Sequence, residues 1–306
     1  MMLGSSRKVQ VLFRQMSTNV NVRSTAASGS QVYESKRAVH EYLLFHYGKP
    51  DDHLPHMTGP RSALNFPGRS AKLCSDHTAT SKKRALDIGC AVGASSFELA
   101  KYFDEVVGID FSHHFVDAAN LMKERGSTEF ESLVRGNVFK TCVTNLDQSI
   151  DRSRVEFQQG DACNLSPTLG TQFNCYQHVF SSLYLYSFAS WTLLLGKFDV
   201  ILASNLLCRL PNPRKFLNEV PRFLNPGGSL VLISPYSWLE EYTPVSEWIG
   251  GTAEAPDSGA EVEAILRQVD VPLKLTHRQE MDFVIREHER KYQYGVSDCM
   301  VWTRDT

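Results

Sequence analysis

Apolar positions in this chain fall into runs of two periods, and the order of those runs is its most informative property. Arg84 to Ile88 is a short continuous apolar run, with Ala85, Leu86 and Ile88, that predicts a buried strand. The small residues Gly89-Cys90-Ala91-Val92-Gly93 break it, and a helix is predicted from Ala94-Ser95-Ser96. A second strand follows at Val106-Val107-Gly108-Ile109-Asp110, after which Ser112 caps a helix to Lys123. Further strands are predicted at Val155 to Gln159, at Phe198 to Ala203 and at Ser229 to Ser234, with a helix from Pro213 to Leu224 between the last two. Ahead of the first strand, Val32, Lys36, Val39, Leu43 and His46 trace one face of a helix that ends at Gly48-Lys49-Pro50. Asp51 to Ser70 reads as a proline-bearing polar loop and Glu124 to Arg154 as a polar elaboration. Residues 171–196, aromatic and apolar without a clean period, read as an insertion between the third and fourth strands. Strands alternating with helices imply an α/β fold on a parallel sheet.

The small-residue turn brings in chemistry. A turn of this kind lets a ligand touch backbone, and the helix behind it offers unpaired N–H groups. The acid at the end of the second strand, Asp110, stands where nucleotide-binding α/β folds hold a ribose diol. The pattern is not G-x-G-x-x-G: the turn is Gly89-x-Ala91-x-Gly93, with Asp87 two positions before the first glycine. That spacing disfavours a nicotinamide dehydrogenase and resembles the cofactor motif of class I S-adenosylmethionine (SAM) methyltransferases. The resemblance implies a Rossmann-like fold, a seven-stranded mostly parallel sheet with helices on both faces. It further implies that Asp87 serves the methionine end of SAM, Asp110 the ribose and Asp161, in Gly160-Asp161-Ala162, the adenine amino group. Gly89, Cys90, Ala91, Gly93, Phe111, Ala162 and Asn205 complete the expected cofactor surface.

Composition narrows the function class. Of 306 residues 42% are hydrophobic and 22% charged, as in ordinary globular proteins. A net charge of −2 gives no pull toward nucleic acid or an anionic membrane. Seven scattered cysteines make neither a disulfide framework nor a zinc spacing, and favour a reducing compartment. His53 and His56 have H-x-x-H spacing but lie in a proline-bearing loop with no further ligands, so no metal is expected. No apolar run reaches the roughly 20 residues a membrane-spanning helix needs. Residues 1–31 are rich in Ser and Thr, carry Arg7, Lys8, Arg14 and Arg23, and contain no acid. They read as a disordered leader or a transit segment, which leaves cytoplasmic or mitochondrial placement open. Residues 32–306 are expected to form one catalytic domain.

The C-terminal third carries the more distinctive sequences: Ser234-Pro235-Tyr236-Ser237-Trp238-Leu239-Glu240-Glu241-Tyr242, and later Asp282 to Val296. With Tyr42 to Gly48, Asn65-Phe66-Pro67 and Asn205 to Leu210, they resemble the C-terminal methyltransferase domain of OvoA, the ovothiol biosynthesis enzyme. That family's domain is assigned methylation of a ring nitrogen of mercaptohistidine, with S-adenosylhomocysteine as co-product. The resemblance implies a stand-alone final-step enzyme or a fragment, because the preceding sulfoxide synthase modules are absent; a functional link to a separate sulfoxide synthase follows. An amino-acid acceptor calls for a cation, an anion and a flat aromatic slot. Arg209 and Arg286 are the carboxylate candidates, and Tyr47, Asn65, Phe66 and Trp238 further substrate-binding candidates. Tyr236 and Glu241 are the candidates to hold or take a ring proton. Another small-molecule acceptor, or a methyltransferase-like binding module without turnover, are the alternatives.

Overall fold

Period-two alternation with both faces buried dictates the centre of the sheet. In the computed structural model, which describes residues 33–79, 81–169 and 197–306, strand β1 (Arg84–Ile88) sends Ala85 to one core layer and Leu86 and Ile88 to the other. Strand β2 (Glu105–Asp110) divides Val106 from Val107 and Ile109 in the same way. Such double burial marks a parallel strand covered by helices on both sides. The leader and residues 171–196 lie outside the described residues.

The chain begins with helix α1 (Lys36–Tyr47), capped by the Ser35 side chain, and continues through the single turn α2 (Pro50–His53) to α3 (Phe66–Asp76). Here the structure corrects the sequence reading. Asp51 to Ser70 is not one loop, because Pro67 sits in the first turn of α3, where its missing N–H costs nothing. After β1 come α4 (Ala94–Leu99), β2 and α5 (His113–Arg125), the last capped by Ser112 and closed by Gly126 at φ +72°. The polar elaboration that follows is an antiparallel hairpin, β3 (Ser127–Arg135) with β4 (Val138–Asn145), outside the main sheet. Strands β5 (Val155–Gln159) and β6 (Phe198–Ser204) follow, and α6 (Pro213–Glu219) leads to β7 (Leu224–Ser234). Strand β7 starts earlier than predicted. Leu224 pairs with Phe198 before Pro226-Gly227-Gly228 shifts the register, so those residues form an irregularity within the strand rather than its boundary. Helix α7 (Ser258–Leu266) and the long hairpin β8 (Leu273–His288) with β9 (Lys291–Arg304) complete the fold.

The seven-stranded sheet runs β5-β2-β1-β6-β7-β9-β8, parallel except for β9, which is antiparallel to both neighbours. Helices α3, α4 and α5 cover one face with Leu73, Phe97 and Met122; α6 and α7 cover the other with Leu217 and Leu266. The chain order reverses between β1 and β6, and this switch opens a crevice beyond their carboxyl ends. Above it, α1 packs against the β3–β4 hairpin through Leu43, Leu44, Phe130 and Cys142 and roofs the crevice. Among the described residues no helix is long and apolar enough to cross a membrane.

Candidate functional site

The floor of the crevice is the turn after β1. Gly89 has φ +77°, and a Cβ there would lie 2.9 Å from Leu206 Cδ1. Its N–H donates to Ile109 O at 2.8 Å, which ties the turn to β2. Ala91 also has a positive φ, +46°, and its N–H donates to Asp110 Oδ2 at 2.9 Å. The Ser112 N–H donates to Asp110 Oδ1, also at 2.9 Å. Backbone donors on both oxygens fix the carboxylate and leave lone pairs for a ligand hydroxyl. Gly93 plays a different part: at φ +90°, with a hypothetical Cβ 2.6 Å from Phe157 Cζ, it allows α4 to start hard against β5.

Burial dominates the electrostatics. Asp87 is 1% exposed and accepts from Ser96 Oγ at 2.7 Å. Desolvation pushes its carboxyl up to about 7, with the Ser96 bond opposing and the Asp110 charge adding. Asp110 is likewise raised, to about 6, by burial against the opposing N–H groups of Ser112 and Ala91. Two acids held reluctant to ionise side by side form a site that favours a cation. At the third strand end, Asp161 accepts from the Cys163 N–H at 2.8 Å, and Phe111, 41% exposed, stands at the lip.

These residues line one cavity of about 440 Å³, the size of a small-ligand pocket. Asp87, Gly89, Cys90, Ala91, Asp110, Phe111, Asp161, Ala162 and Asn205 all face it, whereas Gly93 lies behind. Asn205, just past β6, adopts φ +51°, donates its N–H to Ile233 O at 2.7 Å, and accepts from Ser297 Oγ at 2.8 Å. The cavity continues past Asn205 to Phe66, Arg209 and Glu241. Arg209 stands over the Tyr242 ring with Cζ 4.8 Å from its centroid, and donates to Ser237 O at 2.8 Å.

Five residues expected at the acceptor end are elsewhere. Tyr236 turns its hydroxyl away to donate to Asp298 Oδ2 at 3.0 Å, in a cluster completed by Arg278. Trp238 is 8% exposed and donates Nε1–H to Ser258 Oγ at 3.0 Å, packing under α7. Arg286 is buried and donates to the carbonyls of Asp52 and Leu133, so it ties β8 to α2 and β3. Tyr47 and Asn65 line a neighbouring cavity; the Tyr47 hydroxyl donates to Val92 O at 2.6 Å, and Asn65, at φ +53°, precedes α3. For Tyr47, Tyr236, Trp238 and Arg286 the polar side chain is consumed by a backbone or side-chain partner that the chain order does not reveal.

Conversely, the roof contributes residues that sequence reasoning passed over. Tyr33, Tyr42, Phe45, His46 and Phe115 face the cavity, as do Phe283, Ile285 and Gln293 from the β8–β9 hairpin. Full burial lowers the His46 imidazole to about 3, so it is neutral, and its Nδ1 accepts the Ala94 N–H at 3.4 Å. The one available signal was the clustering of Tyr42, Phe45 and His46 on one helix ahead of the first strand.

Residues 68–265 match the family described as a methyltransferase domain. Among solved structures, the [4+2]-cyclase SpnF is similar at TM-score 0.52 and 15% identity, over 92% of this chain and 97% of that one. The N-methyltransferase NodS from Bradyrhizobium japonicum WM9 matches at TM-score 0.43 and 15% identity, over 78% of this chain and 94% of its own. A SAM-dependent methyltransferase from Methanosarcina mazei matches at TM-score 0.43 and 17% identity, over 75% and 96%. At 15% identity the likeness to SpnF speaks to the fold alone. No curated protein matches this chain.

Proposed function

The chain belongs to the methyltransferase domain family and takes its methyl group from SAM; from that premise we propose that the acceptor is a ring nitrogen of mercaptohistidine. The observation that carries the reading is the continuity of one cavity. Its acidic wall of Asp87, Asp110 and Asp161 runs directly into an end bearing Arg209, Glu241 and the aromatic faces of Phe66, Tyr42 and Tyr242. The acidic wall suits a cationic nucleoside, and at Gly89 the turn presents backbone rather than a side chain to it. The far end suits a small flat zwitterion. The resemblance of the C-terminal third to the OvoA methyltransferase domain supplies the acceptor's identity.

When bound, SAM supplies a methyl group on a sulfonium whose thioether is already a good leaving group. The protein's contribution is alignment and exclusion of water, worth up to roughly 7–11 kcal/mol for well-oriented partners. Asn205, locked by the Ile233 carbonyl and Ser297, offers a rigid edge between the two halves of the cavity. The attacking imidazole nitrogen must be unprotonated, which holds for most of the population above a reference pKa of roughly 6.5. Glu241 is the carboxylate that holds the other ring proton, with Tyr236 committed to Asp298 and the cavity's Glu41 paired with Arg37. Residues 32–306 act as one catalytic domain on this reading, and a separate sulfoxide synthase provides the thiolated histidine. The partner is a small molecule, with neither nucleic acid nor membrane involved.

The test is direct. Incubation of the full chain with SAM and thiolated histidine, followed by mass spectrometry, is expected to give a product heavier by one methyl group, on nitrogen rather than sulfur. Cofactor consumption without a methylated product would remove the reading.

A further inference from the structure

The roof of the cavity carries a feature that methyl transfer as such does not require. Arg209 lies half-buried at the crevice, and among the described residues no carboxylate pairs with it. Its Nη1 donates to the carbonyls of Cys208 and Ser237 at 3.0 and 2.8 Å, and phenols pack around the rest of the group. Tyr242 lies beneath the guanidinium, with Cζ 4.8 Å from its ring centroid. Tyr33 stacks on Tyr242 with centroids 5.8 Å apart, and makes side-chain contacts with both Tyr242 and Arg209. Tyr42 closes the group, its ring edge-on to Tyr33 at 6.0 Å. Burial raises all three phenols, Tyr42 to about 12, so each keeps its proton at neutral pH. A half-buried guanidinium bonded to carbonyls and flanked by neutral hydroxyls keeps donors to spare, and these fit a carboxylate.

We propose that Arg209, held by Tyr33, Tyr42 and Tyr242, is a carboxylate subsite that reads the acid end of the acceptor, with Tyr33 as its positioning residue. SAM carries a carboxylate of its own, and the geometry favours the acceptor for a positional reason. Arg209 follows β6 and donates to Ser237 O beyond β7, whereas the Gly89 turn follows β1 and Asp110 ends β2, on the other side of the β1–β6 switch. The subsite makes the protein selective for acidic acceptors over their decarboxylated or esterified counterparts. It rests on the acceptor reading above only for the identity of the ring, not for the charge.

The experiment is calorimetric titration of the full chain saturated with S-adenosylhomocysteine. Thiolated histidine is compared with thiolated histamine, the same ring without the carboxylate, in the parent protein and in the Arg209→Gln, Arg209→Lys and Tyr33→Phe variants. The parent is expected to prefer the acid by roughly 10- to 100-fold. Arg209→Gln should erase the preference, Arg209→Lys should restore part of it, and Tyr33→Phe should reduce it several-fold. Affinity for S-adenosylhomocysteine should stay within twofold throughout. Loss of S-adenosylhomocysteine binding in Arg209→Gln with the acid preference intact would overturn the proposal and give the arginine to the cofactor. If neither thiolated compound binds, the ring assignment fails, and imidazole-4-acetate against its methyl ester takes their place. Preference for the acid, erased in Arg209→Gln, then still supports the subsite; no preference in either pair overturns it.

Discussion

The two ends of the cavity are built on different principles. At the cofactor end, contact is made by backbone: a turn with three positive φ values at Gly89, Ala91 and Gly93, and acids placed where strands stop. At the acceptor end, contact is made by side chains from segments far apart in the chain, Tyr33 and Tyr42 ahead of the sheet, Arg209 and Glu241 after β6 and β7, Phe283 and Gln293 on the last hairpin. The first kind of site leaves its shape in local sequence, because only small residues tolerate such a turn and strand length fixes where the acid falls. The second kind exists only after packing, and the same residue types serve as structural ties next door.

Breaking the backbone-built end should have the largest effect. Gly93→Val places a branched side chain on Phe157 at φ +90°, and is expected to cost roughly 3 kcal/mol or more and to abolish S-adenosylhomocysteine binding. Thermal denaturation with and without ligand checks both; a variant that still gains thermal stability from the ligand would contradict the role given to the turn.

Arg286→Leu sharpens the other side of the comparison. Its carbonyl partners at Asp52 and Leu133 lose their donors while the cavity is untouched, so stability should fall by about 1–3 kcal/mol. KM for the acceptor should not move, and a raised KM with unchanged stability would return Arg286 to the binding residues.

A smaller, graded effect belongs to Asp87 and Asp110. Both are raised above the ordinary carboxyl range by burial, to about 7 and about 6. A carboxyl with a folded pKa above its unfolded one carries an extra proton in the folded state between those values. The unliganded protein therefore loses stability from this source as pH rises from about 4 to about 7. Binding of cationic SAM favours the ionised pair, so its affinity runs the other way. It should weaken by about tenfold from pH 8 to pH 6, with protons released on binding. Calorimetry in buffers of different ionisation enthalpy measures that release, and pH-independent affinity without it would show that the acids do not face the cation.

The same contrast explains what could be read from sequence. The strands at 84–88, 105–110 and 198–204 were legible because both faces are apolar, and the cavity-facing acids because they fall at or just beside the carboxyl ends of β1, β2 and β5. Helix α3 was not, since Pro67 and Asn65 look like loop residues until the helix start is seen to use them. The β3–β4 hairpin, exposed along much of its length, has no apolar face strong enough to announce itself. Trp238 and Tyr236 lie in the distinctive stretch after β7, but the backbone there, with Tyr236 at φ +50°, turns their side chains under α7 and toward Asp298. Nothing in the order of residues 234–242 separates those two from Glu241 and Tyr242, which face the cavity.

The central claim is that a sulfonium nucleoside is held at the carboxyl ends of β1, β2 and β5 by fixed acids. Titration of SAM into the Asp110→Ala protein measures it most directly. The account predicts one site in the parent and affinity lower by roughly 100-fold in the variant, with the fold retained. Equal affinity in the two proteins, with the variant folded, would contradict it.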